Sequence, residues 1–266
     1  MRSTCTTPII VLIFLVLLPG LSFAITIPEE LQYELTWNNV KMGDASLAVK
    51  EASDRSLSIT ATGNTAEWFS KLFEIKANVS AKATRERDDK YMGNMKIEPS
   101  NYRFIINGVH FTTDESIFFN IKKKTASDTN HLTGARNNFK IGYPAFDVLT
   151  CFYYLRTVPV IVGKSIRVDI VDGNQLIHVD FHVLRKETVK TPVGSFNTVV
   201  VEPKFNPSGS GLLYLGKTTL WITDDQKKIP VAFQKEVPIP KESRLPGVLK
   251  KNLSSTTVKA VLTSIR

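Results

Sequence analysis

The chain has 266 residues, a formal net charge of +9, 42% hydrophobic residues and two cysteines. At that length one all-β domain can bury a sizeable core without staples, and loss of a leader containing Cys5 would leave Cys151 alone, which excludes an intramolecular disulfide. The charge is concentrated at one end, where Lys227 to Arg266 carries nine basic residues against Glu236 and Glu242, a net of +7. With no recognition helix and no ribonucleoprotein-type aromatic motif in the chain, nucleic acid is not expected as a partner.

Residues 1 to 24 read as an export signal. Arg2 precedes the apolar run Ile9 to Leu18, Pro19-Gly20 ends it, and Ser22 and Ala24 are the small residues that a signal peptidase accepts. The run is shorter than the roughly 20 residues of a bilayer-spanning helix, so cleavage after Ala24 is expected. Cys5 lies before the run, not at the cut, so a lipoprotein is not expected. The chain is therefore expected to be exported.

From Leu31 onward apolar and polar residues alternate. Leu31, Tyr33, Leu35 and Trp37 alternate with Gln32, Glu34 and Thr36, and Ile75, Ala77, Val79 and Ala81 do the same with Lys76, Asn78, Ser80 and Lys82. A period of two predicts antiparallel strands with one dry and one wet face. Further strands are expected at 46–51, 56–61, 91–97, 102–106 and 117–121, giving an N-terminal strand set over 31–121. The polar, aperiodic stretch 122–140 reads as a mobile loop. Within 146–157, Asp147 suits an N-cap, and Val148, Phe152 and Leu155 share a helical face. Leu149, Phe152 and Leu155, with Trp221, are expected to anchor this helix to the sheet. A C-terminal strand set over 165–265 follows, with hairpin turns at Asp172-Gly173-Asn174 and Thr223 to Lys227. The expected fold is one all-β domain over 25–266: a curved antiparallel sheet or open β-barrel meander with one short helix packed on it.

Several motifs resemble chemistry without its context. Gly211 to Thr218 has the letters of a phosphate loop, but a strand is expected after it where a helix N-terminus would have to face the phosphate. No nucleotide is therefore expected. His178, Asp180 and His182 share one strand face, yet the outer two lie roughly 13 Å apart at the rise of a strand, and a zinc ion holds its ligands within about 2.2 Å. No metal or cofactor is expected. Gly194-Ser195 lacks the second glycine of a nucleophile elbow, and Pro192 and Gly194 fit a tight turn better. Cys151 reads as a small buried hydrophobe rather than a nucleophile.

Phe146 to Thr150 leading to Tyr153-Tyr154-Leu155-Arg156, Glu187 to Phe196, and Leu220 to Val231 resemble the exported bacterial family known as domain of unknown function 3108. The opening Leu31 to Trp37 followed by Gly43 is similar to that family's first strand and turn. The resemblance spans nearly the whole chain after the leader, and it carries over no catalytic or binding residues. With this resemblance the expected location is the periplasm, and the expected function is a non-catalytic binding or structural module of the cell envelope. A sheet with a dry concave face suits an apolar or lipid-like ligand. Lys241, Arg244, Lys250 and Lys251 are expected to contact an anion or the anionic membrane surface of the envelope. The rival expectation is a hydrolase acting on envelope polymers, which would need a cluster of Asp, His and Glu in one cleft.

Overall fold

The computed structural model describes residues 27–51, 56–70, 73–85, 91–104, 109–120, 123–172, 175–206, 216–238 and 255–266. The leader with its expected cut after Ala24, and the four basic residues Lys241, Arg244, Lys250 and Lys251, lie outside the described residues.

Among the described residues, fifteen strands and two short helices make up the fold. The first wing comprises β1 (Glu29–Trp37), β2 (Val40–Glu51), β3 (Leu57–Thr65), helix α1 (Glu67–Ser70), β4 (Phe73–Arg85), β5 (Tyr91–Phe104), β6 (Val109–Asn120), β7 (Thr125–Asn130) and β8 (Arg136–Lys140). Then come β9 (Ala145–Phe146), helix α2 (Val148–Thr157), β10 (Ser165–Asp172), β11 (Gln175–Thr191), β12 (Gly194–Phe205), β13 (Thr218–Thr223), β14 (Pro230–Pro238) and β15 (Ser255–Ile265). All fifteen strands join one sheet in the order β8-β7-β6-β5-β4-β3-β2-β1-β15-β14-β13-β12-β11-β10-β9. The chain therefore winds outward to one edge, crosses to the other edge, and winds back until β15 pairs with β1. Every pairing is antiparallel except β9 with β10.

A sheet this wide cannot remain flat, because strand twist accumulates and curls it. Here it curls around α2, which contacts β3, β4 and β5 of the first wing and β9 and β10 of the second. The sheet is barrel-like but not closed, with β8 and β9 as its edge strands. The all-β expectation, with an open, curved meander and a packed helix, matches this arrangement.

Four local expectations are corrected. Residues 122–140 are not a loop: among them the structure describes a hairpin, β7 and β8, whose turn is held by Asn130 Oδ1 accepting from the amides of Leu132 and Thr133 at 3.0 and 2.9 Å. Buried Asp128 on the same face as Ala126 broke the apolar alternation, while backbone ladders form regardless of side chain. Ala145-Phe146 is a strand and α2 begins only at Val148, so the helix is shorter than 146–157. The single-turn helix α1 is additional. Gly43 lies inside β2 rather than in the first turn, which is formed by Asn38 and Asn39, both at positive φ as a primed hairpin turn requires. A Cβ on Gly43 would stand 2.1 Å from the Asn64 carbonyl oxygen, so its role is close approach of β2 to β3.

The core lies on both sides of α2. Leu149 and Tyr153 pack with Val49, Leu57, Ile59, Ala81 and Ile117 of the first wing. Cys151, Tyr154 and Leu155 pack with Val168, Ile177, Val179, Val199 and Val201 of the second. At the start of the helix the buried Asp147 carboxylate accepts from the amides of Leu149 (2.9 Å) and Thr150 (2.8 Å) and from the Thr150 hydroxyl (2.6 Å), a cap worth about 1 kcal/mol. Near its end Arg156 donates to both Glu29 oxygens at 2.6 and 2.9 Å and to the Lys227 carbonyl at 3.1 Å. Both members of this pair are buried, so the start of β1, the helix and the β13–β14 turn are tied at one point.

Candidate functional site

The ladder between β12 and β13 runs from Thr198 opposite Thr223 to Val201 opposite Leu220 and ends there. Pro203, which has no N–H to give a ladder, lies just past the last paired rung. The sheet parts at this point, and the gap lies over α2. A groove of about 130 Å³ opens there. Val148, Cys151, Phe152 and Leu155 of α2 line it on the helix side, and Pro203, Phe205, Leu220 and Phe233 line it on the sheet side. Thr218 alone contributes a polar group to this lining. Its size is close to that of an engineered apolar cavity that takes up benzene, so it accommodates a ring or a short stretch of alkyl chain.

Of the expected anchors, Leu149, Leu155 and Phe152 divide between core and groove, whereas Trp221 packs against the separate cluster of Leu31, Ile229, Val231 and Leu262. Leu149 and Leu155 are buried. Phe152 and Val148 are only partly buried and face the groove, because 3.6 residues per turn carry these positions away from the first wing. Trp221 points to the other side of β13 from Leu220 and Ile222, as strand alternation requires. Its indole donates to Glu187, and the Lys259 ammonium lies 6.0 Å from its ring centroid. Cys151 is buried against the groove, and burial pushes its thiol well above the ordinary range, which disfavours thiolate chemistry.

A second, polar hollow of about 440 Å³ lies on the other face of β11, lined by Tyr143, Arg167, His178, Asp180, Lys204, Phe205 and Asn206. Fully buried Asp169 accepts from the amides of Gly142 (3.0 Å) and Tyr143 (3.1 Å), and its other oxygen lies 2.6 Å from His178 Nδ1. Arg167 donates to both oxygens of Asp180 at 2.7 and 3.2 Å, and these bonds hold the Asp180 carboxyl below its usual range. His182 turns instead to Ser165, with Nδ1 2.9 Å from the hydroxyl. The three residues expected on one strand face therefore each pair with β10 rather than with one another. Ile177, Val179, Phe181 and Val183 are buried on the opposite face. Among the described residues no group of three His, Cys, Asp or Glu side chains is placed to hold a metal ion.

The phosphate-loop letters do not form a cradle in the described part. Lys217 Nζ pairs with Glu202 at 3.2 Å, and strand β13, not a helix, follows. Lys204 pairs with the same Glu202. Burial pushes the Glu202 carboxyl up, and the hydrogen bonds from Lys204 and Lys217 outweigh it and hold the group below its usual range. Pro192 and Val193 form the two-residue turn between β11 and β12, with Gly194 at φ 135°.

The fold and groove define a class: an open, barrel-like all-β protein wrapped around one central helix, with an apolar slot where the sheet parts. The model of the family described as a protein of unknown function, DUF3108, matches residues 32–243, and the chain belongs to that family. Among solved structures, a beta-barrel-like protein of domain of unknown function DUF1849 from Brucella abortus is similar in fold. It has 6% identity and a TM-score of 0.54, and the match covers 91% of this chain and 98% of that one. A protein described as exported, with a YmcC-like fold, from Bacteroides fragilis matches at 10% identity over 91% of this chain and 96% of that one, with a TM-score of 0.33. Among curated proteins, no relative matches the chain.

Proposed function

We propose that the protein is an exported, non-catalytic binding module of the cell envelope that holds an apolar group in the groove between α2 and the parted strands β12 and β13. The observation that carries this reading is the groove itself: Val148 and Phe152, the two partly buried apolar side chains of α2, face open space of about 130 Å³. Filling such space with alkyl or aromatic atoms restores dispersion contacts and removes apolar surface from water. The leader is consistent with export to the periplasm, and N-terminal sequencing of the exported protein is expected to begin at Ile25. The basic stretch with Lys241, Arg244, Lys250 and Lys251 would hold the module near anionic lipid. Charge reversal at these four positions is expected to release the protein from anionic vesicles at low salt, where the Debye length is about 30 Å rather than about 8 Å.

Fluorescence titration with the apolar probe N-phenyl-1-naphthylamine tests the groove. The reading expects saturable binding that Val148→Trp, which fills the slot, removes while the melting temperature changes little. Equal binding by both proteins would place the probe elsewhere and overturn it.

A second reading, hydrolysis of an envelope polymer, is favoured by one observation, the buried Asp169 that orients His178 at 2.6 Å. Such a pair can act as an oriented base toward water. Turnover of glycan or ester polymers abolished by His178→Gln would favour it over the binding module.

A further inference from the structure

The polar hollow beside β11 is held in shape from behind. The buried Asp169 carboxylate binds the amides of Gly142 and Tyr143 with one oxygen and His178 Nδ1 with the other. One group therefore fixes both the imidazole and the segment that carries Tyr143. In front of it the Tyr143 side chain remains 44% exposed, although the Arg167 guanidinium carbon lies 5.3 Å from its ring centroid and the His178 ring meets it edge to face at 6.2 Å. Arg167 also donates to the Tyr143 hydroxyl at 3.3 Å. An aromatic ring is thus presented to water in a fixed setting, and groups ordered before a ligand arrives cost less to order on binding.

The charges around the hollow cancel. Arg167 is held by Asp180, Lys204 and Lys217 share Glu202, and Asp169 stands behind His178, so the cations Arg167, Lys204 and Lys217 are matched by the carboxylates Asp180, Glu202 and Asp169. An anion entering here would meet Asp180 and find the guanidinium already engaged. We propose that the hollow binds a neutral saccharide, with one hexopyranose ring laid against Tyr143 and its hydroxyls bonded by Asp180, Arg167, His178 and Asn206. Sugar hydroxyls both donate and accept, and the lining offers both: an ionised Asp180 only accepts, Arg167 only donates, and the Asn206 side-chain amide does each. With Nδ1 turned to Asp169, His178 keeps Nε2 for the ligand. The planar ends of carboxylate, guanidinium and amide can each span two neighbouring hydroxyls, while the carbon-bound hydrogens of the sugar ring cover the apolar face of the tyrosine and remove it from water. The volume of about 440 Å³ falls within the roughly 300–1,000 Å³ of small-molecule sites. This site does not rest on the apolar groove, because His178 and Asp180 point to the face of β11 opposite Phe181, and it calls for recognition rather than cleavage.

The test is isothermal titration of the exported protein with maltotriose, laminaritriose, mannotriose and chitotriose, and with trigalacturonate as the acidic counterpart. At least one neutral trisaccharide should bind saturably and roughly tenfold more tightly than trigalacturonate. Tyr143→Ala should weaken that binding by roughly tenfold or more, while Tyr143→Phe, which keeps the ring, should retain most of it. Asp180→Asn leaves Arg167 without its carboxylate and should turn the preference toward trigalacturonate. Val148→Trp, which fills the apolar groove, should leave saccharide binding unchanged, so the two sites fail or stand separately. If no neutral trisaccharide binds at millimolar concentration, the inference is overturned and the groove reading is untouched. Tighter binding of trigalacturonate by the unmodified protein, or an affinity that Tyr143→Ala does not move, overturns it as well. Should Tyr143→Ala not fold, nuclear Overhauser contacts in the unmodified protein decide: contacts from the sugar ring protons to the Tyr143 ring support the site, and contacts confined to other aromatic rings contradict it.

Discussion

Helix α2 has two apolar sides that meet different surroundings. Leu149 and Tyr153 are sealed against the first wing, whereas Val148 and Phe152 look into the slot left where β12 and β13 part. Both sides carry the same kinds of residue, so hydrophobicity alone does not distinguish a core from a binding surface. What distinguishes them is the sheet: β3 and β4 pair over eight rungs from Leu57 opposite Ala83 to Asn64 opposite Lys76, while the β12–β13 ladder stops at Val201 and Leu220 after four.

The sharpest way to break this comparison is to disturb the sealed side where it is held by charge. Arg156→Met leaves the Glu29 carboxylate buried without its guanidinium, and equilibrium urea unfolding should show a loss of about 3 to 5 kcal/mol. Next comes the contrast between the two sides. Leu149→Ala should cost about 2 to 5 kcal/mol, as for a filled core site, and Phe152→Ala should cost less than about 1.5 kcal/mol, because much of its ring has no partner atoms to lose. Equal costs would mean that the groove is packed shut.

Asp147 supplies a smaller, pH-dependent effect. Burial pushes its carboxyl up from 3.8 to about 6, against the opposing bonds from Thr150 and Leu149. A folded-state value above the unfolded one means that the proton favours the fold. This group's contribution is fully present below its unfolded value and is lost as pH rises through about 6. Thermal melts of Asp147→Asn should therefore lack the part of the decline between about pH 4 and 6 that the unmodified protein shows.

Much of the fold is legible in the alternation of residues such as Leu31 to Trp37 and Ile177 to Val183, because one buried face imposes a period of two. The cap at Asp147 is equally local and equally legible. The β7–β8 hairpin was not, since edge strands need little apolar content and Asp128 occupies an inward position. Phe152 shows the limit for the site. Helical spacing places it on an apolar face, but whether that face meets a closed or a parted sheet depends on pairing between β12 and β13, whose paired residues are about twenty apart in sequence. Pro203 was a usable signal for that break. The Asp169–His178 pair joins two strands across a hairpin, and the polarity of His178 was visible while its partner was not.

The account's central claim is that the second side of α2 is an open ligand surface. Methyl-resolved NMR during titration with decanol tests it most directly, with no charge on the probe. The account predicts saturable shifts at Val148, Leu155 and Leu220, with the methyl groups of Leu149, Val49 and Leu57 across the helix unmoved. Absence of shifts at Val148 and Leu220, or shifts of equal size on both sides of the helix, would contradict it.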